Sequence, residues 1–253
     1  MDAEPKRIAL ITGANQGIGL QIAKDLAAQS LVVLIGSRNP VRGEDAANLV
    51  GKNAHALQLD VTDEGSIQLA AEHIQRRFGR IDVLVNNAAI SRSRQMPGTT
   101  LEERIKSTRV SSLSLDGLRD VWENYVFGVV AVTQAMLPLL RQSKAARIVN
   151  VSSSVGSLTK NSDRDFIYRS TFNPVYPASK AALNAMTVAM AIELESEGIK
   201  VNAACPGFTK TNLNNYSGTQ TVEEGAREPV RLALLGPDGP TGTFTDSAGP
   251  IPW

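Results

Sequence analysis

A tyrosine and a lysine stand four residues apart in the segment NPVYPASKAA, at positions 173–182. Four residues are slightly more than one turn of an α-helix, so Tyr176 and Lys180 are expected on one helix face. A lysine ammonium beside a phenol favours the phenolate and lowers the pKa of the tyrosine. The pair therefore predicts a proton donor matched to neutral pH. The pattern is short, and the alternative is a solvated Tyr-Lys pair on a helix surface.

A glycine-rich turn, TGANQGIG, follows the first apolar run and contains Gly13, Gly17 and Gly19. Glycine permits a tight turn and a close approach of the backbone to a phosphate group. The helix predicted after the turn directs its free amide groups and the positive end of its dipole at an anion. Between a strand and an amphipathic helix, such a turn predicts a nucleotide site.

Apolar runs of strand length alternate with longer segments of helical periodicity. The runs are continuously apolar, which is typical of strands buried on both faces of a parallel sheet. Strands are predicted at 8–12, 32–36, 54–59, 83–86, 147–151 and 200–205, with a last edge strand near 243–245. Helices are predicted at 17–29, 42–50, 63–78, 115–142 and 175–197.

The repetition of strand, helix and strand predicts an α/β protein with a Rossmann-type, doubly wound parallel sheet. No linker or charge block divides the 253 residues, so we predict a single domain over 1–253. Sheets of this kind bind ligands beyond the carboxyl ends of their strands. Residues that directly follow each strand are therefore the candidates for chemistry.

Composition identifies no macromolecular partner. The net charge of +1 gives no field that would attract nucleic acid or an anionic membrane. No signal peptide is recognised, and no stretch approaches the roughly 20 apolar residues of a membrane span. Cys205 is the single cysteine, expected as a buried and inert thiol, and no His/Cys/carboxylate cluster predicts a metal site. We expect a cytoplasmic protein.

The spacing of the glycines differs from GxGxxG and resembles the TGxxxGxG turn of the short-chain dehydrogenase/reductase family. The resemblance covers nearly the whole chain, because further motifs of the family follow in order after the predicted strands. They are Asp60-Val61, the NNAA segment at 86–89, Ser152-Ser153-Ser154, Tyr176-x-x-x-Lys180 and Pro206-Gly207. The ending GPTGTFTDSAGPIPW resembles the carbonyl reductase branch of the family.

The resemblance implies a reaction in which Tyr176 protonates a carbonyl oxygen as hydride arrives from a nicotinamide cofactor. Lys180 would also hold the ribose of that cofactor, and Ser153 would polarise the carbonyl group. Ser152 and Ser154 are the alternatives for the serine role.

The family's fourth catalytic position is an asparagine in the motif TNVFG, whereas this chain reads ENYVFG. Aligned on Val126, Phe127 and Gly128, the asparagine position is Tyr125. Asn124 lies one residue earlier, which is about 100° around an α-helix. Either the helix is locally adjusted so that Asn124 serves, or the relay uses another group, or activity is weakened.

The resemblance also implies a set of cofactor-binding residues. Asp60 would bind the adenine amino group, and Asn87 would stabilise the end of its strand. The full set is Gly13, Asn15, Gln16, Gly17, Ile18, Gly19, Ser37, Arg38, Asp60, Val61, Asn86, Ala88, Tyr176, Lys180, Pro206, Gly207, Thr209 and Thr211.

Arg38 decides the predicted choice of cofactor. NAD-specific proteins place a carboxylate after the second strand to accept the ribose hydroxyls. This chain has Arg38 there, whose planar cationic group suits a 2′-phosphate, with Arg42 as a second contact. NADPH is therefore predicted over NADH; the alternative is that Arg38 is a solvated surface residue.

The sequence favours an NADPH-dependent reductase of aldehydes or ketones. The alternatives are a dehydrogenase that oxidises a secondary alcohol, steroid or sugar, and a weakly active nucleotide-binding regulatory protein, which Tyr125 favours. Segments 91–114, 156–173 and 208–228 are expected to shape the pocket for a small carbonyl substrate. The second belongs to the unusually long separation of 23 positions from Ser153 to Tyr176. A homo-oligomer is possible.

Overall fold

The computed structural model describes residues 6–90, 103 and 106–253. Within this part of the chain, eight strands form one sheet in the order β3-β2-β1-β4-β5-β6-β7-β8. All neighbouring strands are parallel except β7 and β8, which form an antiparallel edge. The strands are β1 Ile8–Thr12, β2 Val32–Ser37, β3 Ala54–Gln58, β4 Val83–Asn86, β5 Arg147–Val151, β6 Lys200–Ala204, β7 Phe244–Asp246 and β8 Gly249–Pro250.

Helices cover both faces of the sheet. The α-helices of the described chain are α1 Gly17–Ala28, α2 Pro40–Val50, α3 Glu64–Phe78, α4 Leu115–Trp122, α5 Gly128–Leu140, α6 Leu158–Ser162, α7 Tyr176–Glu193 and α8 Val222–Ala233. A π-helical turn, Glu123–Phe127, joins α4 to α5. Short 3₁₀ turns lie at Ser154–Gly156, Arg169–Thr171, Glu195–Glu197 and Asn212–Asn214.

The alternation of side chains along the strands explains the two layers of helices. Ile8 and Leu10 of β1 face a core formed with α3, α5 and α7, whereas Ala9 and Ile11 face a second core formed with α1, α2 and α8. Because both faces are buried, the strands are apolar throughout, as predicted.

The predicted Rossmann-type α/β fold is confirmed, with most boundaries within two residues. Strand order reverses between β1 and its two neighbours β2 and β4, which creates a crevice at the carboxyl ends of β1 and β4. The predicted helix over 115–142 is present but is interrupted by the π turn.

Helix α8 was not predicted. It begins inside the segment 208–228 that the sequence analysis expected to be a loop, so that expectation is wrong for residues 222–228. Thr221 and Glu224 start the helix with a reciprocal capping box. Gly225 and Pro229 obscured its periodicity, since both residues are poor helix formers.

The helical stretch Leu115–Leu140 has 26 residues, and its most apolar window of 18 residues has a mean hydropathy of 1.2, enough to cross a membrane by length and composition. This finding differs from the expectation that no stretch approaches the roughly 20 apolar residues of a membrane span. However, 56% of its most apolar window is buried in the structure, where Val132, Met136 and Leu139 belong to the core. Packing against the sheet therefore accounts for its apolar character.

Candidate active site

The glycine-rich turn lies between β1 and α1, at the crevice. Gly13 and Gly17 have φ angles of +64° and +58°, a region that side chains with a Cβ rarely adopt. A Cβ at Gly13 would lie 2.8 Å from the Cα of Ala88, and one at Gly19 would lie 2.4 Å from Nδ2 of Asn87. Glycine is thus required here for the turn and for its contact with the chain after β4.

The N-terminus of α1 is open. Asn39 caps α2 and Asp63 caps α3, each by accepting a backbone N–H with its side chain. At α1 the corresponding residue is Gln16, and its side chain makes no capping hydrogen bond. The first amide groups of α1 therefore remain available for an anion, so the turn fits the diphosphate of a dinucleotide.

Thr12 joins the ends of β1 and β4. Its hydroxyl accepts hydrogen bonds from the backbone N–H groups of Asn87 at 3.0 Å and Ala88 at 2.9 Å. The side-chain amide of Asn87 donates to the carbonyl of Thr12 at 2.9 Å, so Asn87 stabilises the strand end as predicted.

Asn86 differs from the prediction, because its side chain is 4% exposed and lies in the core. There it donates to Oδ1 of Asn150 at 2.9 Å, and Asn150 donates to Thr187 of α7. Buried amide groups need hydrogen-bond partners, and the side chain of Asn86 finds its partner in the core at Asn150. Its side chain therefore does not line a nucleotide site.

Candidate residues for the adenosine half follow β2 and β3. Arg38 and Arg42 are exposed; Arg38 lies between β2 and α2, and Arg42 lies in the first turn of α2. The buried Ser37 donates to the carbonyl of Asn39. One carboxylate oxygen of Asp60 already accepts hydrogen bonds from the backbone and hydroxyl of Thr62. Val61 is buried, and its carbonyl lies against Gly128.

Strand β5 and helix α7 bring Ser153, Tyr176 and Lys180 together. Ser153 directly follows β5, and its hydroxyl lies close to the phenol of Tyr176, the first residue of α7. Nζ of Lys180 donates to the carbonyl of Val151 at 2.8 Å and lies 5.8 Å from the ring centre of Tyr176.

The two neighbouring serines, Ser152 and Ser154, have other hydrogen-bond partners. Ser152 is buried and donates to Oδ1 of Asn184 at 2.6 Å, while the backbone N–H of Ser154 donates to Sγ of Cys205. Of the three candidates, the geometry favours Ser153. Cys205 itself is buried, and burial raises the pKa of its thiol, as expected of an inert cysteine.

The charge states of the pair differ from the sequence expectation. Burial raises the pKa of Tyr176 to about 12, and the hydrogen bond from Ser153 opposes this only in part. Burial also lowers the pKa of Lys180 to about 7. The expectation that the ammonium dominates and lowers the pKa of the phenol is therefore wrong for the chain alone, because desolvation of both groups outweighs their mutual effect.

The π turn resolves the register question before Gly128. A Cβ at Gly128 would lie 2.6 Å from the carbonyl oxygen of Val61, so this glycine is held against the chain after β3. Its N–H bonds to the carbonyl of Glu123, five residues back, and the turn thereby accommodates one residue more than an α-helical turn. The helix is therefore locally adjusted.

After this adjustment, Tyr125 is in contact with the pair. The ring of Tyr125 lies against Tyr176 and Lys180, and its hydroxyl donates to the carbonyl of Ile90 at 3.0 Å. Asn124 is 7% exposed, and Oδ1 of its side chain has no hydrogen-bond partner within the described residues. Sequence reasoning assigned Tyr125 no contact; its only signal was the extra residue between Asn124 and Gly128.

The loop after β6 reaches the glycine turn through one of its two predicted threonines. The side chain of Thr211 lies beside Gly17, where a Cβ would be 3.6 Å from its methyl group. Thr209 is 4% exposed and donates to the carbonyl of Pro206, so its hydroxyl faces inward and the prediction that it contacts the cofactor is not supported by this geometry. Gly207 has a φ of +69°, which a turn at this point requires.

The remaining predicted segments have different outcomes. Most of 91–114 lies outside the described residues. Segment 156–173 contains α6 and a 3₁₀ turn, and it is tied to the C-terminal residues by hydrogen bonds from Ser157 to Pro252 and from Thr159 to Trp253. No metal-binding cluster of His, Cys, Asp or Glu occurs among the described residues.

Comparisons with known proteins agree with this geometry. A family model for short chain dehydrogenase matches residues 7–221. Short-chain dehydrogenase/reductase 1 of Saponaria officinalis is 37% identical over 94% of this chain and 93% of its own length. Salutaridine reductase of Papaver bracteatum is 33% identical over 95% of this chain and 94% of its own length.

A solved structure shares the fold over nearly the whole length. NADPH-bound carbonyl reductase from chicken fatty liver has a TM-score of 0.80 at 27% identity, covering 98% of this chain and 99% of that one. The glycine turn, the Ser153, Tyr176 and Lys180 cluster, and these matches lead to one assignment. The chain belongs to the short-chain dehydrogenase/reductase family of oxidoreductases, whose members use nicotinamide cofactors.

Proposed function

We propose that the protein reduces an aldehyde or ketone to an alcohol with NADPH. The observation that carries this proposal is the proximity of the Ser153 hydroxyl to the phenol of Tyr176, with Lys180 one helical turn further along α7. The cluster lies at the carboxyl edge of the sheet, the same edge as the open N-terminus of α1. A dinucleotide on that turn would supply the hydride.

Tyr176 is suited to donate a proton. With a pKa of about 12, its phenol is protonated at neutral pH, as a reduction requires. Ser153 would donate a hydrogen bond to the same carbonyl oxygen and polarise it. Lys180 would place positive charge near the phenol and stabilise the phenolate left after proton transfer. Its pKa of about 7 means that this charge is only partly present at neutral pH in the free protein.

The preference for NADPH rests on the residues after β2. Arg38, just before α2, and Arg42, in its first turn, are exposed, and the segment Gly36-Ser37-Arg38-Asn39 contains no carboxylate that would repel a 2′-phosphate. Guanidinium groups bind phosphate through paired hydrogen bonds. The NADPH-bound carbonyl reductase supports the same choice by likeness.

Consumption of NADPH against aromatic aldehydes, α-diketones and ketoesters, with NADH in parallel, tests the proposal. We expect turnover with NADPH by the parent protein and a loss of at least about 100-fold in Tyr176→Phe, the range for removing a general acid. Equal turnover by Tyr176→Phe would contradict the proton-donor role. Tight NADPH binding without turnover on the whole panel would instead favour the nucleotide-binding regulatory alternative.

A further inference from the structure

We propose that Tyr125 is a positioning residue, whose ring holds the ammonium group of Lys180 in the site. The expected effect of Tyr125 on turnover rests on the proposed function. The expected effect of Tyr125 on the charge of Lys180 does not. The family resemblance gives Tyr125 no role, since this position corresponds to an asparagine.

The geometry places the charged group of Lys180 over the ring. Nζ lies 4.3 Å from the ring centre of Tyr125, closer than its 5.8 Å to the ring centre of Tyr176. Within about 6 Å, the negative face of an aromatic ring attracts a cation. The same ring meets Tyr176 edge-on, with centres 5.4 Å apart and planes at 77°. Tyr125 therefore contacts both members of the pair.

The ring is held in this orientation. Its hydroxyl donates to the carbonyl of Ile90 in the chain after β4, and Val121 and Val175 pack beside it in a small buried cluster. The π turn supplies the extra residue that puts Tyr125 at this point. Rotation of the ring away from Lys180 would break the hydrogen bond and open the cluster.

Lys180 has few other partners that favour its charge. Its side chain is 5% exposed, and Nζ donates to one carbonyl, that of Val151 on β5. The titratable groups that face it are Tyr176 on its own helix, Tyr125 on the π turn and Cys205 after β6. The two tyrosines are neutral at neutral pH because burial raises the pKa of both, and burial likewise raises the pKa of Cys205. The ring of Tyr125 is therefore a main electrostatic support of the ammonium.

Titration of Lys180 tests this role directly. Lysines labelled with ¹³C at Cε report the protonation of each ammonium by NMR, and Lys180→Met identifies the signal of Lys180. Tyr125→Phe keeps the ring, and we expect its Lys180 pKa within about 0.3 units of the parent's. Tyr125→Leu removes the ring face, and we expect a pKa lower by about one unit, equivalent to roughly 1.4 kcal/mol.

Two controls separate this effect from packing. Val121→Ala perturbs the same buried cluster and should reduce stability without moving the Lys180 titration. If Tyr125→Leu does not fold, phenylalanines with increasing numbers of fluorine atoms at position 125 keep the shape while weakening the ring face. Their Lys180 pKa should fall with each fluorine.

An unchanged titration in Tyr125→Leu or in the fluorinated series would overturn the proposal. A shift of the Lys180 pKa in Tyr125→Phe or Val121→Ala as large as that in Tyr125→Leu would also overturn it. The titration requires neither cofactor nor substrate, so a protein without reductase activity would refute the proposed function and leave this result standing. In an active enzyme, the rate deficit of Tyr125→Leu relative to Tyr125→Phe should grow to about tenfold as the pH rises through neutrality, because one pKa unit is a tenfold change in the ammonium fraction.

Discussion

Ser152 donates a hydrogen bond of 2.6 Å to the side-chain oxygen of Asn184, and both residues are almost fully buried. The bond joins the end of β5 to the middle of α7. Ser153 lies next to one partner and Tyr176 two turns before the other, so this bond fixes the distance between the serine and the proposed proton donor. Asn184 also donates to the carbonyl of Gly156, which fastens the turn after Ser153.

Ser152→Ala should destabilise the protein by about 1–3 kcal/mol, because it leaves the buried oxygen of Asn184 without a donor. Urea unfolding measures the loss, and NADPH turnover should fall with it as Ser153 and Tyr176 lose their alignment. Ser154→Ala is the matched control and should change stability much less, since the partly buried Ser154 keeps its backbone N–H contact to Cys205 and the variant leaves no buried carboxamide oxygen without a donor. Equal losses in the two variants would show that the bond to Asn184 is unimportant.

Gly13→Ala should weaken nucleotide binding by roughly 30- to 100-fold, which is about 2–3 kcal/mol. The new Cβ would meet the Cα of Ala88 at 2.8 Å in a left-handed backbone conformation, so the turn must move. Gly79→Ala has the same backbone strain at φ +73° but open space around it. It should lose stability without losing affinity. Calorimetric titration with NADPH distinguishes the two variants, and equal affinities would contradict the role of the turn.

Arg38→Asp should reverse the cofactor preference. The carboxylate would accept the ribose hydroxyls of NADH and repel a 2′-phosphate. We expect the ratio of kcat/KM for NADPH to that for NADH to fall by about 100-fold or more, since two charge-assisted contacts are lost and a repulsion is gained. Arg42→Ala should reduce the ratio less. Unchanged discrimination in Arg38→Asp would mean that Arg38 is a solvated surface residue.

Lys180 should make stability depend on pH. Its folded pKa of about 7 lies below the ordinary lysine value of 10.5, so the folded protein binds fewer protons than the unfolded chain between these values. Stability therefore rises with pH across this window, and the cost of burying the lysine is fully present below pH 7. Tyr176 has the opposite effect only between pH 10 and about 12, where its raised pKa makes stability fall.

Lys180→Met should accordingly gain stability relative to the parent at pH 6.5, by about 2–4 kcal/mol, with a gain that shrinks by pH 9.5. Denaturant unfolding at the two pH values measures the difference. Lys210→Met, at an exposed position, should show no such dependence. A constant difference between Lys180→Met and the parent across the range would refute the depressed pKa.

The sheet could be predicted from sequence because its strands are buried on both faces and read as continuous apolar runs. The glycine turn was equally clear, since Gly13 and Gly19 are required by backbone geometry and by contacts that only glycine permits. The directions of side chains at strand ends could not be predicted. Asn86 ends its strand and Thr209 follows its strand, as expected, yet both side chains turn inward to partners that the linear sequence does not reveal.

The charge states of Tyr176 and Lys180 could not be predicted from the sequence for a related reason. Spacing places Tyr176 and Lys180 on one helix face, but the pKa of each depends on how deeply the folded chain buries it. Helix α8 was missed because its capping box, at Thr221 and Glu224, is a weaker signal than the Gly225 and Pro229 inside it.

The π turn at Glu123–Phe127 also determines where sequences of this kind can be aligned. Counting backward from Gly128 puts Tyr125 at the asparagine position of the family motif, whereas Asn124 lies one residue earlier. The π turn holds one residue more than an α-helical turn, so it can contain an extra residue without moving Gly128. A gap placed inside this turn, rather than in a neighbouring loop, is therefore the structurally valid way to compare this helix with relatives that are one residue shorter.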